Sequence, residues 1–217
     1  MHIHIVSLFP ESVRPYLETS IMKRAQEKGL FRYSIHNLTD WTVRNTRRVD
    51  DRPYGGWAGT IITIEPLVQC IRDLEEQYGK LSIILMSPAW EELTASVADN
   101  LAQNEQDNYC IICGHYEGVD GRIFDFFDVR EISIGKYVLS SGELGALVLI
   151  DSVVRLIPWV ISDESLREES YSPHLWWKKE YPQYSRPEVF EWQSVPTVLL
   201  SWDPKKIQKW KEENLRN

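Results

Sequence analysis

Chemistry in this 217-residue chain concentrates in a few short stretches. In "VRNTRRVDDRPYGGWAGT" (residues 43–60), Arg44, Arg47, Arg48 and Arg52 crowd the approach to a glycine-rich loop. Clustered guanidinium groups suit phosphate oxygens, which accept their forked donors in pairs; the plain alternative is a set of solvated loop charges. Glycine lets such a loop reach φ > 0 and brings backbone close to a ligand. Trp57, in the middle of it, is the residue least able to supply either property. Asp50 and Asp51 could be read as a metal-binding pair, but adjacent loop residues are poor grounds for that, and capping or pairing with Arg52 is the expectation. "CIIC" (110–113) has the spacing of a redox or zinc motif. It has no second pair, and strand residues three apart point to opposite faces, so buried structural cysteines are expected and no metal site is assigned.

The elements that must position these residues alternate. "HIHIVSLF" and "FRYSIHNL" read as strands, and "TSIMKRAQEKG" between them as a helix closed by Gly29. "TIITI" reads as a further strand, followed by a helix with Pro66 near its start and Gly79 at its end. "LSIILMS", "YCIICGHY" and "VREISIG" are apolar runs of strand length, the mark of strands covered on both faces. "ELTASVADNLAQN", "GELGALVLIDSVVRLIP" and "PKKIQKWKEENLR" have helical spacing. Strands and helices in alternation imply an α/β fold with a largely parallel sheet, whose ligands bind beyond the carboxyl ends of the strands. Those ends are "SPAWEE", "CGHYEGVDGR" and "SIGKYVLSSGEL".

Composition sets bounds. The chain is 43% hydrophobic and 26% charged, ordinary for a domain with a core, and carries no run of about 18 apolar residues, so no membrane partner is expected. Three cysteines form no disulfide framework and the N-terminus has no signal-peptide pattern, which together suggest a cytoplasmic protein. A net charge of −8 argues against wholesale attraction to nucleic acid, leaving local basic clusters to do that work.

The motifs occur in a recognisable order. "SLFPE", "VDDRPYGGWAG", "EPL", "CGHYEGVDGR", "EISIGKYVLSSGEL", "LIDSVVRLIP" and "EYPQYSRPEVFE" before "VPTVLLS" resemble the bacterial tRNA (guanine-37 N1)-methyltransferases of the TrmD type. The resemblance implies a SPOUT fold, a parallel sheet with a C-terminal trefoil knot, plus a small helical C-terminal domain. It implies a methyltransferase domain over 1–160, a linker over 161–185, and a shortened tRNA-binding domain over 186–217. It also implies S-adenosyl-L-methionine as methyl donor, tRNA as substrate and a homodimer; Mg²⁺ is left open as an accessory ion.

By the same resemblance, Pro88, Tyr116, Glu117, Gly118, Ile134, Gly135, Tyr137, Leu139 and Gly142 wrap the adenosine and methionine. Asp50 and Gly59 belong to the loop that receives the flipped target base, with Arg44, Arg47 and Arg48 near tRNA phosphates. N1 of guanine carries a proton at neutral pH, so methylation needs a base and a cation to steady charge developing toward O6. These roles fall on Glu169, where the family has Asp, and on Arg155; Glu168 leaves the register of the base ambiguous. His115, where the family has Arg or His, is assigned to binding. Ser141, Gly145 and Lys136 depart from the family pattern.

Tryptophan is abundant, 9 residues against 11 glycines. Trp57, Trp90, Trp159, Trp192, Trp202 and one or both of Trp176 and Trp177 stand where the family pattern has glycine, whereas Trp41 and Trp210 suit an aromatic. Some bacterial lineages read the opal codon UGA as glycine, and a gene of that kind would give this pattern. Taken as real, the tryptophans instead imply a catalytically inactive, SPOUT-like RNA-binding dimer.

Overall fold

The computed structural model describes residues 1–56, 58–104 and 108–216. They fall into two compact units, Met1–Val160 and Ile161–Asn217.

The first unit begins with β1 (His2–Ser7), α1 (Pro10–Leu17), α2 (Ser20–Glu27) and β2 (Arg32–Asn37). A short hairpin of β3 (Asp50–Asp51) and β4 (Ile61–Ile62) precedes α3 (Ile64–Tyr78). Then come β5 (Ser82–Glu92), α4 (Ala95–Gln103), β6 (Asn108–Cys113), α5 (Ile123–Phe126), β7 (Val129–Ser133) and α6 (Gly142–Val154). Five strands form one parallel sheet in the order β2-β1-β6-β5-β7. The α/β fold with a parallel sheet is the one expected.

Both faces of this sheet are covered, which is why its strands read as unbroken apolar runs. Ile3, Ile5, Ile84, Ile111 and Cys113 pack with α1, α2, α4 and α6. Val6, Ile83, Leu85, Cys110 and Ile112 pack with α3 and α5. Cys110 and Cys113 therefore do point to opposite faces. Burial raises both thiols, that of Cys110 to about 12, so neither is a thiolate at neutral pH.

Two elements differ from expectation. "TIITI" contributes only Ile61 and Ile62, paired with the aspartates and not with the central sheet. Backbone bonds from Glu117 N to Thr60 O (2.9 Å) and Ile62 N to Gly118 O (2.9 Å) engage this segment instead. Helix α1 gives no clear periodic signal because it is short, contains Pro15 and buries only Val13 and Leu17.

The second unit contains α7 (Asp163–Arg167), a hairpin of β8 (Val189–Phe190) and β9 (Gln193–Ser194), and α8 (Pro204–Glu213), capped by Asp203. Tyr181 is buried, and Trp210 packs against it and Tyr184 at ring separations of 6.2 Å.

Candidate active site

"SPAWEE", expected as a loop, belongs to β5, which shifts register between Met86 and Glu91. This irregular part of β5 and the loops leaving β6 and β7 bound an open cleft of about 230 Å³. Pro88, Tyr116, Glu117, Gly118, Ile134, Gly135, Tyr137, Leu139 and Gly142 all line it, brought together from three separate segments. Gly142 begins α6 with its Cα against the end of β6: a Cβ there would lie 2.6 Å from Gly114 N and 2.7 Å from Cys113 Cα. At Gly135 (φ 152°) a Cβ would lie 2.4 Å from the Tyr137 ring. Ser141, by contrast, has φ −163°, extended backbone that any residue adopts, so its departure from glycine leaves the loop path intact. Apolar side chains and exposed loop backbone dominate the cleft, a lining suited to a nucleoside held by main-chain groups. The residues fit an adenosyl group.

The glycine-rich loop is fastened to this cleft. Besides the two bonds above, Asp120 N donates to Ile62 O at 2.9 Å. Gly59, at φ 91°, faces the Glu117 side chain so closely that a Cβ would meet its Cγ at 2.8 Å. Trp57 lies outside the described residues.

Arg44, Arg47 and Arg48 are exposed, and the guanidinium of each is engaged by an aspartate. Arg48 donates to both oxygens of Asp50 at 3.0 and 3.1 Å, Arg44 to Asp51 Oδ2 at 3.0 Å, and Arg47 to Asp40. The Arg48 guanidinium holds the buried Asp50 carboxyl below its ordinary range. Asp50 thus pairs with Arg48, not Arg52, because β3 turns its side chain back toward the arginine two residues earlier. Asp51 does bind position 52, through the Arg52 backbone N–H at 2.8 Å. Among the described residues no group of three or more His, Cys, Asp or Glu side chains converges as a metal site.

Arg155 caps the C-terminus of α6 in the first unit, half-buried, its N–H donating to Asp151 O at 3.2 Å. Glu169 lies in the second unit, after α7. Its neighbour Glu168 is committed: Lys211 Nζ donates to Glu168 Oε2 at 2.7 Å, and the Tyr181 hydroxyl donates to the same oxygen. Hydrogen bonding from Lys211 and Tyr181 holds the Glu168 carboxyl below its ordinary range. A carboxylate so stabilised is a poor base.

Two polar clusters have no counterpart in the sequence motifs. Glu143 accepts from His115 Nε2 and Ser7 Oγ, a polar group assembled from three segments. His2, His4 and His36 form the other: His4 Nδ1 lies 3.0 Å from His36 Nε2, and the His2 and His4 rings are 3.9 Å apart. The alternation in "HIHIV" was the only signal for the second; nothing local announced the first.

Set beside known proteins, the chain matches a family model described as "tRNA (Guanine-1)-methyltransferase TrmD" over residues 1–217. The tRNA (guanine-N(1)-)-methyltransferase of Flavobacterium johnsoniae is 45% identical over 214 residues, 98% of this chain and 92% of that one. That of Clostridioides difficile is 43% identical, covering 100% and 93%. The crystal structure of tRNA (m1G37) methyltransferase from Aquifex aeolicus, 33% identical, matches at a TM-score of 0.80 over 98% of this chain and 88% of the other. The likeness covers nearly the whole chain and carries the SPOUT fold with its knotted C-terminal segment.

Proposed function

This chain belongs to the TrmD family of tRNA (guanine-1)-methyltransferases, and on that premise we propose that it methylates N1 of guanine 37 in tRNA, with S-adenosylmethionine held in the cleft beyond β5, β6 and β7. The observation that carries the assignment is the convergence of nine residues, expected from the family resemblance, on one cleft. When bound, S-adenosylmethionine supplies an electrophilic methyl group. Glu169 takes the proton from N1 of the base, and Arg155 places its guanidinium toward O6, where negative charge grows. Commitment of Glu168 to Lys211 and Tyr181 supports Glu169 as the base. Arg44, Arg47 and Arg48 exchange their aspartate partners for tRNA phosphates. Measurement of methyl transfer to a tRNA transcript with guanine or adenine at position 37 tests the assignment. Transfer only to guanine is expected; transfer to neither would sink it.

The surface of α6 supports a homodimer. Leu144 and Val148, one turn apart, are both exposed on this otherwise apolar helix, a face suited to a second copy of the chain. A tRNA substrate supports a cytoplasmic location for the protein.

No observation favours the inactive alternative. Trp159, Trp176, Trp177 and Trp202 adopt φ of 73°, 58°, 60° and 53°, in the left-handed region where a bulky side chain is an outlier. Trp159 and Trp202 are 79% and 93% exposed, so packing does not explain them. Trp192 sits, exposed, between β8 and β9, in a turn whose left-handed residue is Glu191 (φ 53°). Trp41, which donates to Asp73 Oδ2 at 2.8 Å, and Trp210 are used as tryptophan. The backbone supports glycine at 159, 176, 177 and 202 in the protein its own cell makes. The mass of the peptide spanning 176 and 177, from native protein, decides it: two glycines are expected, and two tryptophans would refute the reading.

A further inference from the structure

One buried carboxylate fastens three segments that surround the cleft. Glu143, the second residue of α6, is 4% exposed. Ser7, at the end of β1, donates its hydroxyl to Glu143 Oε1 at 2.5 Å and accepts the Phe9 N–H at 2.8 Å. His115, in the loop after β6, places Nε2 at 2.8 and 2.9 Å from the two carboxylate oxygens. Because a carboxylate only accepts, that nitrogen carries the proton. The Phe9 ring packs over the imidazole, with centroids 5.1 Å apart. Burial pushes the Glu143 carboxyl upward, but hydrogen bonds from Ser7, His115 and Ser141 outweigh it and keep the group ionised.

A buried ion contributes little to stability that apolar packing would not, so its placement calls for another reason. The segments it joins supply one. His115 bridges to Ser141 through the backbone, and Gly142 N donates to Gly114 O at 2.8 Å. Residues 114–118 form one part of the cleft lining and 139–142 another. We propose that Glu143 is a positioning residue for the methyl donor: through His115 and Ser7 it sets the spacing between the loop after β6 and the start of α6, on which the cleft depends. The inference rests on reading the cleft as the donor site.

Direct binding of S-adenosylmethionine to the 217-residue chain, by calorimetry, separates the two. If the unaltered chain binds none, the site reading fails. If it binds, Glu143→Gln should weaken Kd about tenfold or more, the scale of a charge-assisted hydrogen bond. The kcat at saturating donor should stay within about threefold, since the carboxylate touches no reacting group. His115→Phe keeps the ring packing and loses the donor, and should weaken Kd similarly; His115→Gln should recover most of it. The double variant Glu143→Gln/His115→Phe should be no worse than the worse single, because both remove one interaction. A merely structural defect would lower the number of binding sites and leave Kd alone. Unchanged Kd in Glu143→Gln, or multiplying effects in the double variant, would overturn the proposal. Should Glu143→Gln not fold, Ser7→Ala, which removes only a hydroxyl, must still weaken Kd, and an unchanged value there refutes it.

Discussion

Two neighbouring glutamates show how single residues divide the work. Glu168 is held by a lysine and a tyrosine, which lowers its proton affinity and ties α8 to the segment after α7. Glu169→Gln should therefore abolish methyl transfer with tRNA binding retained, while Glu168→Gln keeps turnover within about tenfold and lowers the melting temperature. Turnover retained in Glu169→Gln would move the base elsewhere. Arg155→Ala should reduce kcat by about 10²–10³-fold, the loss typical of a group that stabilises developing charge, with little change in donor affinity. Equal losses in both would contradict its role. The loops after β6 and β7 were legible because small residues follow apolar strands, while the individual cleft-lining residues came from the family resemblance. The Ser7–Glu143–His115 cluster was not, because its members lie 136 and 28 positions apart and only the fold brings them together.

At the scale of elements, β1 and β2 carry a built-in acid sensitivity. His2 and His4 are buried, and His2 Nδ1 and His4 Nε2 have no hydrogen-bond partner among the described residues. Burial, aided by nearby cationic groups, lowers their pKa values to about 4 and about 3. The unfolded chain takes up these protons near pH 6.5, so between about 6.5 and 4 it binds more protons than the native state. Stability is then full above pH 6.5 and declines as pH falls through that window. Denaturant unfolding at pH 7.5 and 5 should give a loss on the order of a few kcal/mol, and His4→Leu should shrink the difference; equal stability at both pH values would contradict the buried cluster. The strands and long helices were readable from periodicity. Helix α1 and the true extent of β4 were not: one is short with a proline inside it, and the other is held by loop backbone and not by the central sheet.

For the whole molecule, the exposed apolar face of α6 predicts association. Leu144→Asp should convert a dimer to a monomer in sedimentation, and a monomer in the unaltered chain would remove that face as an interface. Replacing Trp159, Trp176, Trp177 and Trp202 together by glycine should raise the melting temperature, because each left-handed tryptophan costs about 1 kcal/mol or more. The two-unit division was visible as a change from periodic to polar sequence near residue 160. The knotted path was not, since no local pattern encodes threading.

One assay tests methyl transfer at N1 most directly. The chain with glycine at 57, 90, 159, 176, 177, 192 and 202 is incubated with S-adenosylmethionine bearing a deuterated methyl group and a tRNA with guanine at position 37. The product is digested to nucleosides and weighed. Labelled 1-methylguanosine, about one per tRNA and lost when Glu169→Gln is added, is the predicted result. Unlabelled tRNA, or label in any other nucleoside, would contradict the assignment of this cleft and these residues to methyl transfer at N1.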